Sequence, residues 1–174
     1  MLRCALPGQG GDAVFSSDLT MPAITNGTPA PDFELPDQHG NLVRLSQYLG
    51  KSAVVVYFYP KDDTTGCTIE ACRFRDDFEK FRATGAEILG ISGDSTESHG
   101  RFASKYKLPF TLLSDKGGRV RKLYGVKKTF GVIPGRVTFV IDREGVVRHV
   151  FSSQSSPARH VEEALVALAL VSSP

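Results

Sequence analysis

Residues 53–59 read AVVVYFY and run directly into Pro60, Lys61, Asp62, Asp63, Thr64, Thr65, Gly66 and Cys67. An unbroken run of β-branched and aromatic residues is the pattern of a strand buried on both faces of a sheet. Pro60 ends it. The period then changes: Ile69, Cys72, Phe74, Phe78 and Phe81 recur near helical spacing, with Asp76, Asp77, Glu79 and Lys80 on the outer side. This predicts a helix over residues 65–83, stopped by Gly85. A second apolar strand follows at 86–92 (AEILGIS). Strand, crossover helix and strand make a βαβ unit, which places parallel strands at the centre of the sheet.

Outward from this unit, residues 33–35 and 42–45 flank the turn cluster 37–41 and predict a hairpin. Downstream, Ser95 or Thr96 caps a helix running to about Tyr106. Residues 110–113 read as a short strand and 116–124 as a short helix ended by Gly125. Residues 137–141 and 146–151 form a second hairpin across the turn 142–145. Pro157 opens a last helix with Val161, Leu165 and Leu168 on its apolar face. Periodicity alone supports an α/β fold with a mixed sheet.

Composition narrows the function. The chain has 174 residues, 41% hydrophobic and 23% charged, ordinary for a globular protein. At that size roughly 70% of the unfolded surface is buried, so no disulfide or metal staple is required. The formal net charge of +2, with both signs interspersed, does not point to nucleic acid or a membrane as partner. No apolar run approaches the ~18 residues of a membrane span. Three cysteines, Cys4, Cys67 and Cys72, are too few for a disulfide scaffold and fit a reducing compartment. The histidines at 39, 99, 149 and 160 are scattered and form no ligand-spaced motif with the cysteines, so no metal is expected. Residues 1–20 show no periodic apolar pattern and no secretory or transit signature. They are expected to be a disordered or extraneous extension, with Met21 the working start and residues 21–174 one domain.

The chemistry converges on Cys67. It falls in the first turn of the expected helix, where free amide N–H groups and the helix dipole favour a thiolate. Thr64 and Thr65 can supply a hydroxyl, and Gly66 lets the backbone approach closely. The bland alternative is a buried, inert cysteine. Cys72 lies five residues on. On an ideal helix that spacing gives a rise of ~7.5 Å and a turn of ~140°, hence Cα atoms roughly 8–9 Å apart. A disulfide needs less than ~7 Å. Either the two thiols never pair, or the first helical turns unwind when they do. The bland alternative for Cys72 is packing among phenylalanines as a small apolar side chain.

The segment from Tyr57 through Pro60, Thr64 and Cys67 to Cys72 closely resembles the active-site motif of the peroxiredoxins, and the second cysteine five positions on resembles the peroxiredoxin Q, or bacterioferritin comigratory protein, subfamily. The resemblance runs from about Thr28 to Leu168. It includes Pro31-Asp32-Phe33, Gly90 to Ser92, Phe110 to Asp115 and Pro134-Gly135-Arg136. It implies a thioredoxin-like fold with an N-terminal hairpin extension. It implies that Cys67 is the peroxidatic cysteine, Thr64 the threonine that holds the peroxide, Pro60 the proline that shields the pocket, and Arg136 the arginine that stabilises the thiolate and polarises the O–O bond. Cys72 matches the resolving cysteine. The implied substrates are hydrogen peroxide and organic hydroperoxides, the implied reductant is thioredoxin or a similar dithiol, and no haem, flavin or metal is needed. The subfamily is often monomeric and occurs in bacterial cytoplasm and in plastids. A cytoplasmic monomer is the expectation, with the plastid as alternative.

Two further features are read from the residues. Glu70 is expected to pair with Arg73 or Arg75 near the helix start. Arg119, Arg121, Lys122, Lys127 and Lys128 form a basic cluster, read either as solvated surface or as a docking face for an acidic reductase. Two other functions compete with the peroxidase. A thiol–disulfide oxidoreductase would carry Cys-x-x-Cys, which is absent. A non-enzymatic redox sensor or holdase would use the same thiol as a switch.

Overall fold

In a computed structural model of the protein, residues 24–171 are described. The expected extension over 1–20, the start at Met21 and Cys4 lie outside the described residues.

The hairpin forms from β1 (Glu34–Pro36) and β2 (Leu42–Arg44), followed by a short 3-10 helix at Leu45–Tyr48 that periodicity does not announce. The apolar run is β3 (Val54–Phe58), buried at every position. Two helices follow, α1 (Thr65–Asp76) and α2 (Phe78–Ala83), where the pattern predicts one. The break is at Asp77, which leaves helical values at φ −95° and ψ 8°. Its carboxylate is engaged from both sides, by Arg73 at 3.0 Å and Lys80 at 2.6 Å.

The chain continues through β4 (Glu87–Ser92), α3 (Thr96–Tyr106) and β5 (Thr111–Ser114). Ser95 caps α3, its hydroxyl accepting from the Ser98 amide at 3.2 Å. Next, α4 covers only Arg119–Leu123, shorter than expected, because Gly117 and Gly118 adopt positive φ of 85° and 70°. A two-residue ladder between β6 (Lys128–Thr129) and β7 (Ile133–Pro134) is too short to leave a sequence pattern. Then come β8 (Val137–Ile141), β9 (Val147–Ser152) and α5 (Pro157–Val171).

The central sheet has the order β5-β4-β3-β8-β9. Strands β3, β4 and β5 run parallel, as the βαβ reading requires, and β8 and β9 are antiparallel neighbours beyond β3. Alternation inside the apolar run sorts its side chains to two cores. Val55, Tyr57 and Tyr59 meet Phe74, Phe81, Phe102 and Val161 on the helices of one face. Val54, Val56 and Phe58 meet Phe33, Leu35, Tyr124 and Phe139 on the other. Cys67 belongs to the first core, beside Ala71 and Phe74. The end of the most buried strand therefore delivers the chain into a helix whose first turn presses on that core.

Candidate active site

Thr64 is the N-cap of α1 in extended conformation, φ −81° and ψ 149°, so Cys67 occupies the third helical position. The Thr64 hydroxyl does not cap the helix. It donates to the Lys61 carbonyl at 3.0 Å, leaving its oxygen lone pairs free to accept. Thr64 is exposed, Pro60 half-buried at the end of β3, and Cys67 buried at 1% exposure. The inward face of α1 carries Cys67, Glu70, Ala71 and Phe74 at i, i+3, i+4 and i+7.

Arg136 immediately precedes β8 and is buried. Its Nη2 donates to Cys67 Sγ at 3.4 Å, across 69 positions of sequence. Two glycines make the approach possible. A β-carbon at Gly66 would lie 3.0 Å from Arg136 Nη2, and one at Gly135 would overlap the Lys127 carbonyl oxygen.

The other guanidinium nitrogen, Nη1, pairs with Glu70 Oε2, both side chains essentially inaccessible to water. This corrects the expected pairing of Glu70 with Arg73 or Arg75, which instead bond Asp77 and Asp76. The signal was available in the helical period: Glu70 sits one turn from Cys67, on the buried face, where a carboxylate requires a partner. Burial pushes the Glu70 carboxyl up to about 8, against the pull of Arg136. The guanidinium stays charged: burial works against it, but Glu70 and Cys67 together outweigh burial and raise it.

Arg121 departs from the expected solvated cluster. It is half-buried and donates to the Tyr59 carbonyl and the Gly135 carbonyl, each at 2.6 Å, with its guanidinium 5.5 Å from the Phe58 ring centre. It thus ties the end of β3 to the residue before Arg136. Arg119 is exposed and reaches the Glu34 carbonyl at 3.4 Å, and Lys122, Lys127 and Lys128 remain exposed. Cys72 lies further along α1, half-buried, and both cysteines are free thiols. The structure therefore brings Cys67 and Arg136 into contact, places Thr64 and Pro60 on the loop leading to Cys67, and holds Cys72 apart on the intact helix.

A thiol in the first turn of a helix, facing a buried arginine beside a five-stranded mixed sheet, defines a peroxidase of the peroxiredoxin class. The chain belongs to this class: residues 26–150 match the AhpC/TSA family. Within it the similarity is to the Q branch. The chain is 57% identical to peroxiredoxin Q, chloroplastic, of Sedum lineare over 143 residues, 82% of this chain and 76% of that protein. It is 49% identical to peroxiredoxin Q, chloroplastic, of Oryza sativa subsp. japonica over 164 residues, 94% of this chain and 73% of that one. Among solved structures, the peroxidoxin BcpB of Mycobacterium tuberculosis superposes with a TM-score of 0.79 at 40% identity, covering 85% of this chain and 98% of that one. The bacterioferritin comigratory protein of Xanthomonas campestris gives 0.74 at 31% identity, over 81% and 92%. The thioredoxin-like fold and the thiol peroxidase activity expected from sequence are both supported by these likenesses. A peroxide substrate and a thiol reductant come with the class.

Proposed function

We propose that Cys67 reduces hydroperoxides and is oxidised to a sulfenic acid, that Cys72 resolves it as an intramolecular disulfide, and that thioredoxin or a similar dithiol protein reduces that disulfide. The observation that carries the reading is the 3.4 Å contact between Arg136 Nη2 and Cys67 Sγ. The Cys67 thiolate attacks one peroxide oxygen, the O–O bond breaks, and the second oxygen leaves as hydroxide or alkoxide and takes a proton. Negative charge moves from sulfur to the leaving oxygen. A guanidinium fixed beside the sulfur stabilises that charge more in the transition state than in the ground state. The Thr64 hydroxyl, fixed by its bond to Lys61, is free to accept a hydrogen bond from the peroxide O–H, and Pro60 limits water at the mouth.

The Cys72 thiolate then attacks the sulfenic sulfur, the S–O bond breaks, and the oxygen leaves as hydroxide, which takes a proton to become water. The external dithiol attacks the Cys67–Cys72 disulfide, passes through a mixed disulfide, and leaves both thiols reduced. Organic as well as inorganic peroxides are assigned as substrates, since the Xanthomonas campestris neighbour is named for alkyl peroxide reduction. The plastid is the proposed location in place of the cytoplasm, because the plant relatives are named chloroplastic.

The test is steady-state peroxide turnover with thioredoxin, thioredoxin reductase and NADPH. Continuous turnover, with a Cys67–Cys72 disulfide by peptide mass spectrometry, is expected. Cys67→Ser should abolish the first oxidation; Cys72→Ser should retain it and stall recycling. Peroxide loss that persists in Cys67→Ser, or stoichiometric oxidation without turnover in the wild type, would overturn the reading.

A further inference from the structure

The loop between β3 and α1 carries Pro60 and Thr64, yet Lys61, Asp63 and Thr64 are all exposed. What holds it lies underneath. Asp62 is buried at 6% exposure. Its Oδ1 accepts from the Tyr59 hydroxyl at 2.7 Å, and its Oδ2 accepts from Ser98 Oγ at 2.8 Å. Oδ2 also faces Nδ1 of His99 at 2.9 Å. The Asp62 amide donates to Asp94 Oδ2 at 2.9 Å, and that oxygen also accepts from Ser92 Oγ at 2.6 Å.

His99 is fully buried on α3. Its Nε2 lies 3.1 Å from the Leu113 carbonyl oxygen. One ring nitrogen thus faces a carboxylate and the other a carbonyl, and both partners only accept. The Tyr59 hydroxyl, 3.4 Å from Nδ1, gives its proton to Asp62. Burial works against the Asp62 charge, but His99, Tyr59 and Ser98 together outweigh it and hold the carboxyl below its ordinary range.

We infer that the buried Asp62–His99 pair is a positioning device for the peroxide site, fixing from beneath the loop whose backbone aims Thr64 and Pro60. The inference rests on the proposed role of that loop in holding peroxide. Three observations connect the pair to the loop. Thr64 directs its hydroxyl by bonding the carbonyl of Lys61, the neighbour of Asp62, at 3.0 Å. Asp63 sits at φ +56°, a left-handed backbone uncommon for residues with a side chain, though Asp adopts it more readily than most. Lys105 of α3 grips the Asp63 carboxylate at 2.7 Å, a second tie from the same helix. None of these ties uses a residue of α1. When the first turns of α1 unwind to let Cys72 reach Cys67, the loop loses the bond from the Thr68 amide to the Thr64 carbonyl but keeps these ties, and it serves as the template on which they rewind.

The test separates positioning of the peroxide from reactivity of the thiol. In Asp62→Asn and His99→Gln, the second-order rate of Cys67 oxidation by hydrogen peroxide should fall about tenfold or more, as misplaced reacting groups do. Alkylation of Cys67 by iodoacetamide, which needs no peroxide-binding loop, should stay within about twofold of wild type. Tyr59→Phe removes one donor without stranding a buried charge and should give a smaller fall in the peroxide rate alone. Peroxide rates unchanged in the folded variants would overturn the inference, and so would peroxide and alkylation rates falling together. Should the two substitutions of the pair prevent folding, an unchanged Tyr59→Phe overturns it. A wild-type Cys67 that ignores peroxide would instead refute the peroxidase reading beneath it.

Discussion

Glu70 and Arg136 form a carboxyl–guanidinium pair sealed from solvent, and the same guanidinium touches Cys67 Sγ with its other nitrogen. The pair holds Arg136 in place but is costly to keep charged. The folded protein holds the Glu70 proton up to about 8, well above the ordinary carboxyl value of 4.5. Between those values the folded state binds more protons than the unfolded state, so stability falls as pH rises through that window. Glu70→Gln, which keeps the shape of the neutral carboxyl, should flatten this decline. Urea unfolding midpoints across pH check it. Glu70→Ala should slow Cys67 oxidation by peroxide about tenfold or more, because Arg136 loses its tether.

His160 acts at the opposite end of the pH scale. Its Nε2 donates to the Ser153 carbonyl and its Nδ1 accepts from the Thr138 hydroxyl, each at 2.8 Å, which fixes the neutral ring. Burial lowers its ionisation to about 4 from the ordinary 6.5. The unfolded chain therefore binds the extra proton between those values. The stability is fully present above the unfolded value and is lost as pH falls toward the folded one, amounting to roughly 3 kcal/mol at full protonation. His160→Gln should be less stable than wild type at neutral pH but lose less on acidification, measured by the same urea midpoints.

Gly90 is paired with Tyr57 across β3 and β4, and a β-carbon there would lie 2.7 Å from the end of the Tyr57 ring and 2.8 Å from Leu112. The ring has nowhere to go. It stacks on Phe74 at 4.6 Å and on Tyr59 at 5.4 Å between centroids. Gly90→Ala should cost about 2 kcal/mol, in the range of overpacked cores. Thermal unfolding should show a lowered midpoint, and a gain in stability would contradict the packing.

The fold was legible because its signals are local. The run at 53–59 has the composition of a doubly buried strand, and the 3.6-residue period after Thr65 has the composition of a helix; their order forces a parallel crossover. The placement of Thr64 and Cys67 at a helix start, with Cys72 two turns into the same helix, was legible for the same reason. What periodicity could not show is what pairs across the chain. Arg136 stands 69 positions from the sulfur it touches, and only the family resemblance assigned it there. Arg121 looked like one more surface cation, and its bonds to Tyr59 and Gly135 depend on how α4 lies against the ends of β3 and β7. His99 looked isolated because its carboxylate partner is 37 positions away.

Gly66 sets two demands against each other. It occupies the second position of α1, where alanine favours the helix by roughly 0.5–1 kcal/mol through the entropy of the unfolded chain. A β-carbon there would also stand 3.0 Å from Arg136 Nη2, and that side chain is held by Glu70 and cannot swing freely away. Gly66→Ala should therefore separate the two halves of the cycle. Peroxide oxidation of Cys67 should slow about tenfold as the guanidinium is displaced. Formation of the proposed Cys67–Cys72 disulfide from the sulfenic acid should slow independently, because the substitution stabilises the first turns of α1, whose unwinding the proposed cycle calls for. Stopped-flow oxidation and rapid-quench mass spectrometry measure the two rates in one preparation. A variant slowed only in the first step would show that unwinding does not limit resolution. One slowed only in the second would show that Arg136 tolerates the added methyl group.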